Sequence, residues 1–266
     1  MKKIDVDNWE RNKTYEWFKS FSNATYSMNV KIDVTSLVWH VKNNKESFFI
    51  DLLYIVLKGL NSIDAMRMRL VDDIPVIYDD INPAFTVMTD ANTFENVRFN
   101  NCTDFKKFYQ IASQYIEEAK RQKSIKKENY NPENCYNEYY ITCVPWVDFS
   151  QFTHPIPDDV SSQCIPRVCW GKYSYNPHGS KYELMLNITV SHIFVDGSDG
   201  DVTRILIGRL RGIVDLCGCP ADEFHGECAV IGRGSGDSPG NRDDLAELKL
   251  MDDASDVLGD LRGELP

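Results

Sequence analysis

Apolar residues recur at two different spacings along residues 1–212, and each spacing predicts a different kind of element. Between Asn12 and Phe21, the residues Tyr15, Trp17, Phe18 and Phe21 fall at near-helical intervals and predict a short amphipathic helix. Val30-Lys31-Ile32-Asp33-Val34 alternates apolar and polar side chains, as a half-buried strand does. Thr35 and Ser36 offer N-cap hydroxyls for a helix that runs through Val41. From Ser47 to Leu60, the run Phe48-Phe49-Ile50-Asp51-Leu52-Leu53-Tyr54-Ile55-Val56-Leu57 is apolar on nearly every side, so its helix belongs deep in the core.

Met66–Leu70 and Ile74–Tyr78 flank the acidic pair Asp72-Asp73, a hairpin signal. Phe85–Met88 reads as a further strand, and Asp104–Lys127 as a long, highly charged helix. Asn129–Glu138, rich in Asn, Pro and Glu, reads as a surface loop. Glu138–Val144 forms a strand that ends at Pro145. Arg167–Tyr175 and Tyr182–Val190 form two more around the turn-forming Asn176-Pro177-His178-Gly179. Val202–Ile213 returns to helical periodicity. Strands and helices mix without strict alternation, which predicts a two-layer α/β sandwich with a mixed β-sheet packed by helices.

Beyond residue 212 the pattern stops. Residues 213–266 hold one aromatic residue, Phe224, and eight of the fifteen glycines. Gly232–Gly240 has the composition of a flexible linker, and Asp243–Leu261 supports only a weak acidic helix. The expected organisation is a catalytic domain over 1–212 and an acidic, Gly-rich tail over 213–266, disordered or loosely attached.

The 266 residues carry 40 acidic and 29 basic side chains, a net charge of −11. The tail holds 13 acidic against 4 basic residues, so 1–212 is left with 27 against 25 and is nearly neutral. This balance argues against a nucleic-acid partner, which needs clustered Lys and Arg, yet allows a local cationic patch for phosphates. No window approaches the roughly 18 apolar residues of a membrane span. The N-terminus turns acidic before any apolar run, so a signal peptide is not expected and a cytoplasmic location is. Reduced, buried thiols are then the expected state of Cys102, Cys135, Cys143, Cys164 and Cys169. Cys217, Cys219, Cys228 and His225 cluster in sequence, but their spacing matches no common zinc framework, and no metal is expected.

The segment that carries chemistry is Leu186-Asn187-Ile188-Thr189-Val190-Ser191-His192-Ile193-Phe194-Val195-Asp196-Gly197. A strand delivers a histidine, and four residues later an Asp-Gly turn offers a carboxylate for a basic partner. Pro145-Trp146-Val147-Asp148-Phe149 lies about fifty residues upstream, and Asn8-Trp9-Glu10-Arg11 opens the chain. With Lys31-Ile32-Asp33-Val34, Arg67-Met68-Arg69, Pro83–Val87, Thr93-Phe94 and Gly171-Lys172-Tyr173, these blocks resemble the trimeric chloramphenicol O-acetyltransferase family, in its order and over roughly residues 4–210.

That resemblance implies transfer of an acetyl group from acetyl-CoA to the primary hydroxyl of chloramphenicol. It matches His192 to the general base, Thr142 to the family's serine oxyanion donor, Asp196 to a structural aspartate and Arg11 to its partner arginine. It places Trp17, Phe18, Tyr26, Phe94, Phe149, Phe152 and Cys169 around the acceptor, and Lys172 and Tyr173 against CoA. A homotrimer with active sites between subunits is implied, His192 facing a pocket formed largely by its neighbour. The chain departs from the family at Ser191 (usually histidine), Phe18 (often tyrosine), Cys169 (usually threonine), Ser47 (a lysine associated with CoA) and Ser198–Asp201. The same fold also serves acyltransferases with other acceptors, such as dihydrolipoyl acyltransferase cores.

Overall fold

A computed structural model describes residues 1–122 and 136–196. In chain order the elements are β1 (Lys2–Lys3), α1 (Asn12–Lys19), β2 (Thr25–Asp33), α2 (Thr35–Asn44), α3 (Phe48–Asn61), α4 (Asp64–Arg67), β3 (Met68–Val71) and β4 (Ile74–Ile77). They continue with β5 (Asn82–Met88), β6 (Phe94–Arg98), α5 (Phe105–Lys120), β7 (Glu138–Cys143), α6 (Val160–Gln163), β8 (Arg167–Trp170), β9 (Ser174–Asn176) and β10 (Lys181–Ser191). The predicted helix over 202–213, the tail, and Cys217, Cys219, Cys228 and His225 lie outside the described residues.

The main sheet has seven strands in the order β2-β10-β8-β7-β5-β6, with β9 paired to β10. Strand β7 runs parallel to both β5 and β8, and the remaining pairs are antiparallel, so the sheet is mixed as predicted. Helix α3 covers its core face. Eleven of its fourteen residues are buried, and Phe49 sets its ring 5.1 Å from Phe85 of β5 and 5.5 Å from Trp170 of β8. At about 1.5–3 kcal/mol for each fully buried large aliphatic side chain, this helix is a principal source of core stability.

A separate three-stranded sheet, β1-β4-β3, carries the Asp72-Asp73 turn. Both turn residues have positive φ, 49° and 63°, as a two-residue hairpin loop of the right twist requires. Arg69 ties this small sheet to the large one. Its wholly buried guanidinium donates to the carbonyls of Met66 (2.7 Å), Met68 (2.7 Å), Tyr136 (2.7 Å) and Glu138 (3.0 Å). Carbonyl dipoles take the place of water around the charge, which is why a buried arginine is tolerated here.

Several boundaries differ from expectation for local reasons. Strand β2 starts at Thr25, five residues before the predicted Val30, and pairs with β10 as far as Ser191. Helix α2 has no side-chain cap at Val34. Asp33 Oδ1 instead accepts from Thr35 N at 3.0 Å, and Thr35 Oγ1 accepts from Tyr182 N at 2.9 Å. The predicted strand Arg167–Tyr175 breaks at Gly171–Tyr173, because the loop after β7 crosses there. Helix α5 begins on the Asp104 cap (Lys107 N to Asp104 Oδ1, 2.9 Å) but ends at Lys120. Strand β7 opens at Glu138, where the predicted strand begins, while β1, β6, α4 and α6 had no predicted counterpart.

Candidate active site

Strand β10 is two-faced. Leu184, Leu186, Ile188 and Val190 enter the core, while Asn187, Thr189 and Ser191 occupy the opposite face and are also buried. The strand stops at Ser191, where the chain turns. Phe194 N and Val195 N both donate to Ser191 O (3.2 and 3.0 Å), and Ile193 N donates to Ser191 Oγ (3.3 Å). The turn throws out the side chain of His192, whose backbone N–H is held by Ala24 O at 2.9 Å.

The N-terminal segment reaches back to brace this turn. Arg11 Nη1 donates to Phe194 O at 2.8 Å and Nη2 to His192 O at 3.4 Å, and Nη2 pairs with Asp196 Oδ2 at 3.0 Å. One planar guanidinium thus holds both ends of the His-x-x-x-Asp segment, which a point-charge ammonium could not do. Phe194 is buried beside Tyr15 (6.0 Å) and Trp9 (6.3 Å), and Arg11 lies over the Trp9 ring at 5.8 Å.

The His192 imidazole stacks against Tyr26 (4.0 Å, 22°) and Phe18 (4.6 Å, 15°). Its Nδ1 is buried with no hydrogen-bond partner among the described residues, 3.8 Å from Asp196 Oδ1, while the side chain as a whole is 31% exposed. With Nδ1 enclosed on the Asp196 side, Nε2 is the nitrogen left to meet a substrate. The other described histidines lack this arrangement. Burial, reinforced by Arg167, lowers the pKa of His154 to about 4, so it accepts protons poorly. His40 is paired with Glu46 at 2.9 Å, and His178 lies exposed in the β9–β10 turn.

The remaining predicted residues fall into two places. Trp17, 61% exposed, sits 4.8 Å from Phe18 and so joins the His192 neighbourhood; Phe21, 5.5 Å from Trp17 and 5.2 Å from Phe18, was not anticipated there. Thr142 does not join it. Thr142 of β7 is in register with Cys169 of β8, Cys169 with Asn187 of β10, and Asn187 with Asn29 of β2. With strands about 4.8 Å apart and about 3.3 Å per residue, Thr142 and His192 of one chain start about 19 Å apart. Phe94 lies farther off, on the edge strand β6.

Near Thr142 and Cys169 runs the loop that follows β7. It passes so close to the strand that a Cβ on Gly171 would sit 2.4 Å from Val147 O and 3.0 Å from Phe149 Cδ1. Lys172 N donates to Val147 O at 2.8 Å, which locks the Pro145–Phe149 and Gly171–Tyr173 blocks together. Phe149 and Phe152 lie 5.5 Å apart, and Asn187 Nδ2 donates to Phe152 O at 3.1 Å and to Asn29 Oδ1 at 2.9 Å. Lys172 is exposed, whereas the Tyr173 ring packs on Phe48 (4.8 Å) and Tyr182 (5.7 Å). Burial pushes the Cys169 thiol up to about 12, so it stays protonated. Asn187 and Gly171, quoted only as parts of sequence blocks, were given no role of their own, although polar Asn187, Thr189 and Ser191 already alternate with apolar neighbours there.

Comparison with known proteins decides the family. A family model described as chloramphenicol acetyltransferase matches residues 1–207. The chain belongs to the chloramphenicol acetyltransferase family. Relatives include chloramphenicol acetyltransferase 3 of Escherichia coli, 26% identical over 73% of this chain and 89% of the relative. Another chloramphenicol acetyltransferase of Escherichia coli is 29% identical over 73% and 86%, and that of Staphylococcus aureus 26% identical over 73% and 88%. A solved chloramphenicol acetyltransferase superposes with a TM-score of 0.69 at 23% identity, covering 79% of this chain and 98% of that one. A probable dihydrolipoamide acetyltransferase from Listeria monocytogenes shares the fold at a TM-score of 0.56 and 13% identity, over 77% and 93%. Chloramphenicol acetyltransferases draw on acetyl-CoA as co-substrate, which makes this chain an acetyl-CoA-dependent acyltransferase. Among the described residues, no helix is long and apolar enough to cross a membrane.

Proposed function

We propose that this chain acetylates the primary hydroxyl of chloramphenicol in the cytoplasm, as a homotrimer whose active sites lie between subunits. The observation that carries the reading is the His192 imidazole at the end of β10, braced from below by Arg11 and Asp196 and stacked on Phe18 and Tyr26. Its Nε2 accepts the hydroxyl proton as the alcohol oxygen attacks the thioester carbonyl of acetyl-CoA directly, and no acyl-enzyme forms. Collapse of the tetrahedral intermediate expels the CoA thiolate, which takes the proton back from the imidazolium.

The oxyanion of that intermediate needs a donor within hydrogen-bonding reach. Thr142 of a neighbouring copy supplies the hydroxyl, a reading supported by its separation from His192 of the same chain along and across the sheet. The two groups of residues described above are then halves of composite sites. His192, Arg11, Asp196, Phe18 and Tyr26 come from one subunit. Thr142, Cys169, Phe149, Phe152 and Phe94 come from the next, with Lys172 and Tyr173 flanking the CoA path.

Chloramphenicol-dependent release of CoA thiol tests the reaction, and light scattering tests the trimer. His192→Ala lowers kcat by about 10²–10⁴-fold, and Thr142→Ala by about 10²–10³-fold. Co-assembly of the two inactive variants at equal amounts restores about one quarter of the wild-type sites, since one interface in four pairs an intact His192 with an intact Thr142. No recovery of activity in the mixed trimers refutes the shared site, and no chloramphenicol-dependent thiol release refutes the acceptor.

A further inference from the structure

Outside the residues assigned above to acyl transfer, one polar cluster is unexplained by that chemistry. Helix α3 is apolar throughout its buried face except at Asp51, in its first turn, whose side chain is 2% exposed and whose two carboxylate oxygens both lack a hydrogen-bond partner. Facing it are His40, near the end of α2, and Glu46, in the connection between α2 and α3. His40 Nε2 lies 2.9 Å from Glu46 Oε2 and 3.8 Å from Asp51 Oδ2, and one donor atom from each of the three residues falls within 4.8 Å of the others. Tyr109 of α5 closes the cluster, accepting from Ser47 N at 2.9 Å.

An unpaired carboxylate at this depth costs several kcal/mol unless it is protonated or meets a cation. The three donor atoms converge, and among the described residues no Lys or Arg pairs with them.

We propose that His40, Glu46 and Asp51 form a binding site for a divalent transition-metal cation of the zinc class, which clamps α2 to α3. One imidazole nitrogen and two carboxylate oxygens suit zinc, with water as a fourth ligand. Ligands about 2.1 Å from a tetrahedral ion lie about 3.4 Å apart, between the 2.9 and 3.8 Å separations that His40 Nε2 already shows. Asn44 lies behind the imidazole and can orient it. Asn44 Nδ2 lies 3.0 Å from His40 Nδ1 and donates to His40 O at 3.0 Å; ligation by Nε2 moves the ring proton to Nδ1, and a half-turn of the Asn44 amide then presents its oxygen to that proton in exchange for the bond to His40 O. The left-handed Lys45 (φ 55°) ends α2 and turns the chain so that Glu46 faces back onto His40. A charged ion between two carboxylates removes the penalty of burying Asp51 and ties two helices through one point.

The test uses the full chain, stripped with a chelator and dialysed against zinc, with bound metal counted by mass spectrometry and thermal melting followed in parallel. Wild type is expected to retain one zinc per chain and to melt higher with it. His40→Ala and Asp51→Asn are expected to lose both the bound metal and the shift while keeping their acetyl-transfer activity. Cobalt serves as a spectroscopic probe, and ligand-field bands without thiolate charge transfer are expected. A variant with Cys217, Cys219 and Cys228 all changed to Ser is expected to bind as wild type does. Failure of wild type to hold stoichiometric metal overturns the proposal. So does binding that survives in Asp51→Asn and vanishes in the triple cysteine variant, which would put the metal on the tail cysteines.

Discussion

Replacing Arg11 tests whether a residue 181 positions before His192 in the chain governs its reactivity. Arg11→Ala removes the pairing with Asp196 at 3.0 Å and a charged hydrogen bond to Phe194 O at 2.8 Å, along with a longer contact to His192 O. The carbonyl bond contributes about 1.5–3 kcal/mol. Breaking a fully buried ion pair costs about 3–5 kcal/mol and an exposed one under about 1. With the Arg11 and Asp196 side chains 19% and 26% exposed, an intermediate value of about 2 kcal/mol applies, for a total near 4. Against a typical stability of about 5–15 kcal/mol the variant still folds, but the turn that carries the imidazole loosens. Displacement of a catalytic group by about 1 Å costs about 10²-fold in rate. Arg11→Lys keeps the charge and loses the fork, so it falls in between, near 2 kcal/mol and 10-fold. Urea denaturation at fixed protein concentration and thiol-release kinetics measure the two effects. An Arg11→Ala enzyme within about 0.5 kcal/mol and two-fold of wild type would show that the turn holds His192 without the guanidinium.

Three further outcomes follow from the geometry. Gly171→Ala places a methyl 2.4 Å from Val147 O, so the loop must move; a loss of about 1–3 kcal/mol and a rise in both KM values are expected, and an unchanged urea midpoint refutes the close approach. Burial, only partly offset by Arg98, raises the Glu138 pKa to about 7, so the folded state keeps a proton the unfolded chain releases near 4.5. Stability from this group therefore falls as pH rises from about 4.5 to 7. Glu138→Gln is expected to gain over wild type progressively between those limits in pH-dependent urea melts, and a pH-independent difference would contradict the assignment. Cys164 and Cys169, both buried with thiols pushed up to about 12, resist alkylation in the native protein at pH 8 and react after unfolding, as peptide mapping would show; rapid native labelling would contradict their burial.

What the chain determines by itself is local. Period-two alternation located β2 and β10, a strand-forming run stopped by Pro145 located β7, and an unbroken apolar run identified α3, because burial on one face or all faces writes directly into residue order. The segment around His192 and Asp196 stood out for the same reason: a strand end, a glycine and a carboxylate four residues on are neighbours in sequence and in space. Tertiary structure decided what lies far apart in the chain. Only the fold brings Arg11 beneath the His192 turn, Phe18 and Tyr26 against the imidazole, and Val147 within touch of Gly171. It also places Thr142 two strands and five residues away from the histidine it was expected to serve, because register across a sheet is set by pairing partners that no single strand encodes. And it turns Asp51, an isolated acid in an apolar helix, into one corner of a cluster with His40 and Glu46, since a side chain's partners at helix ends depend on where the next helix comes to rest.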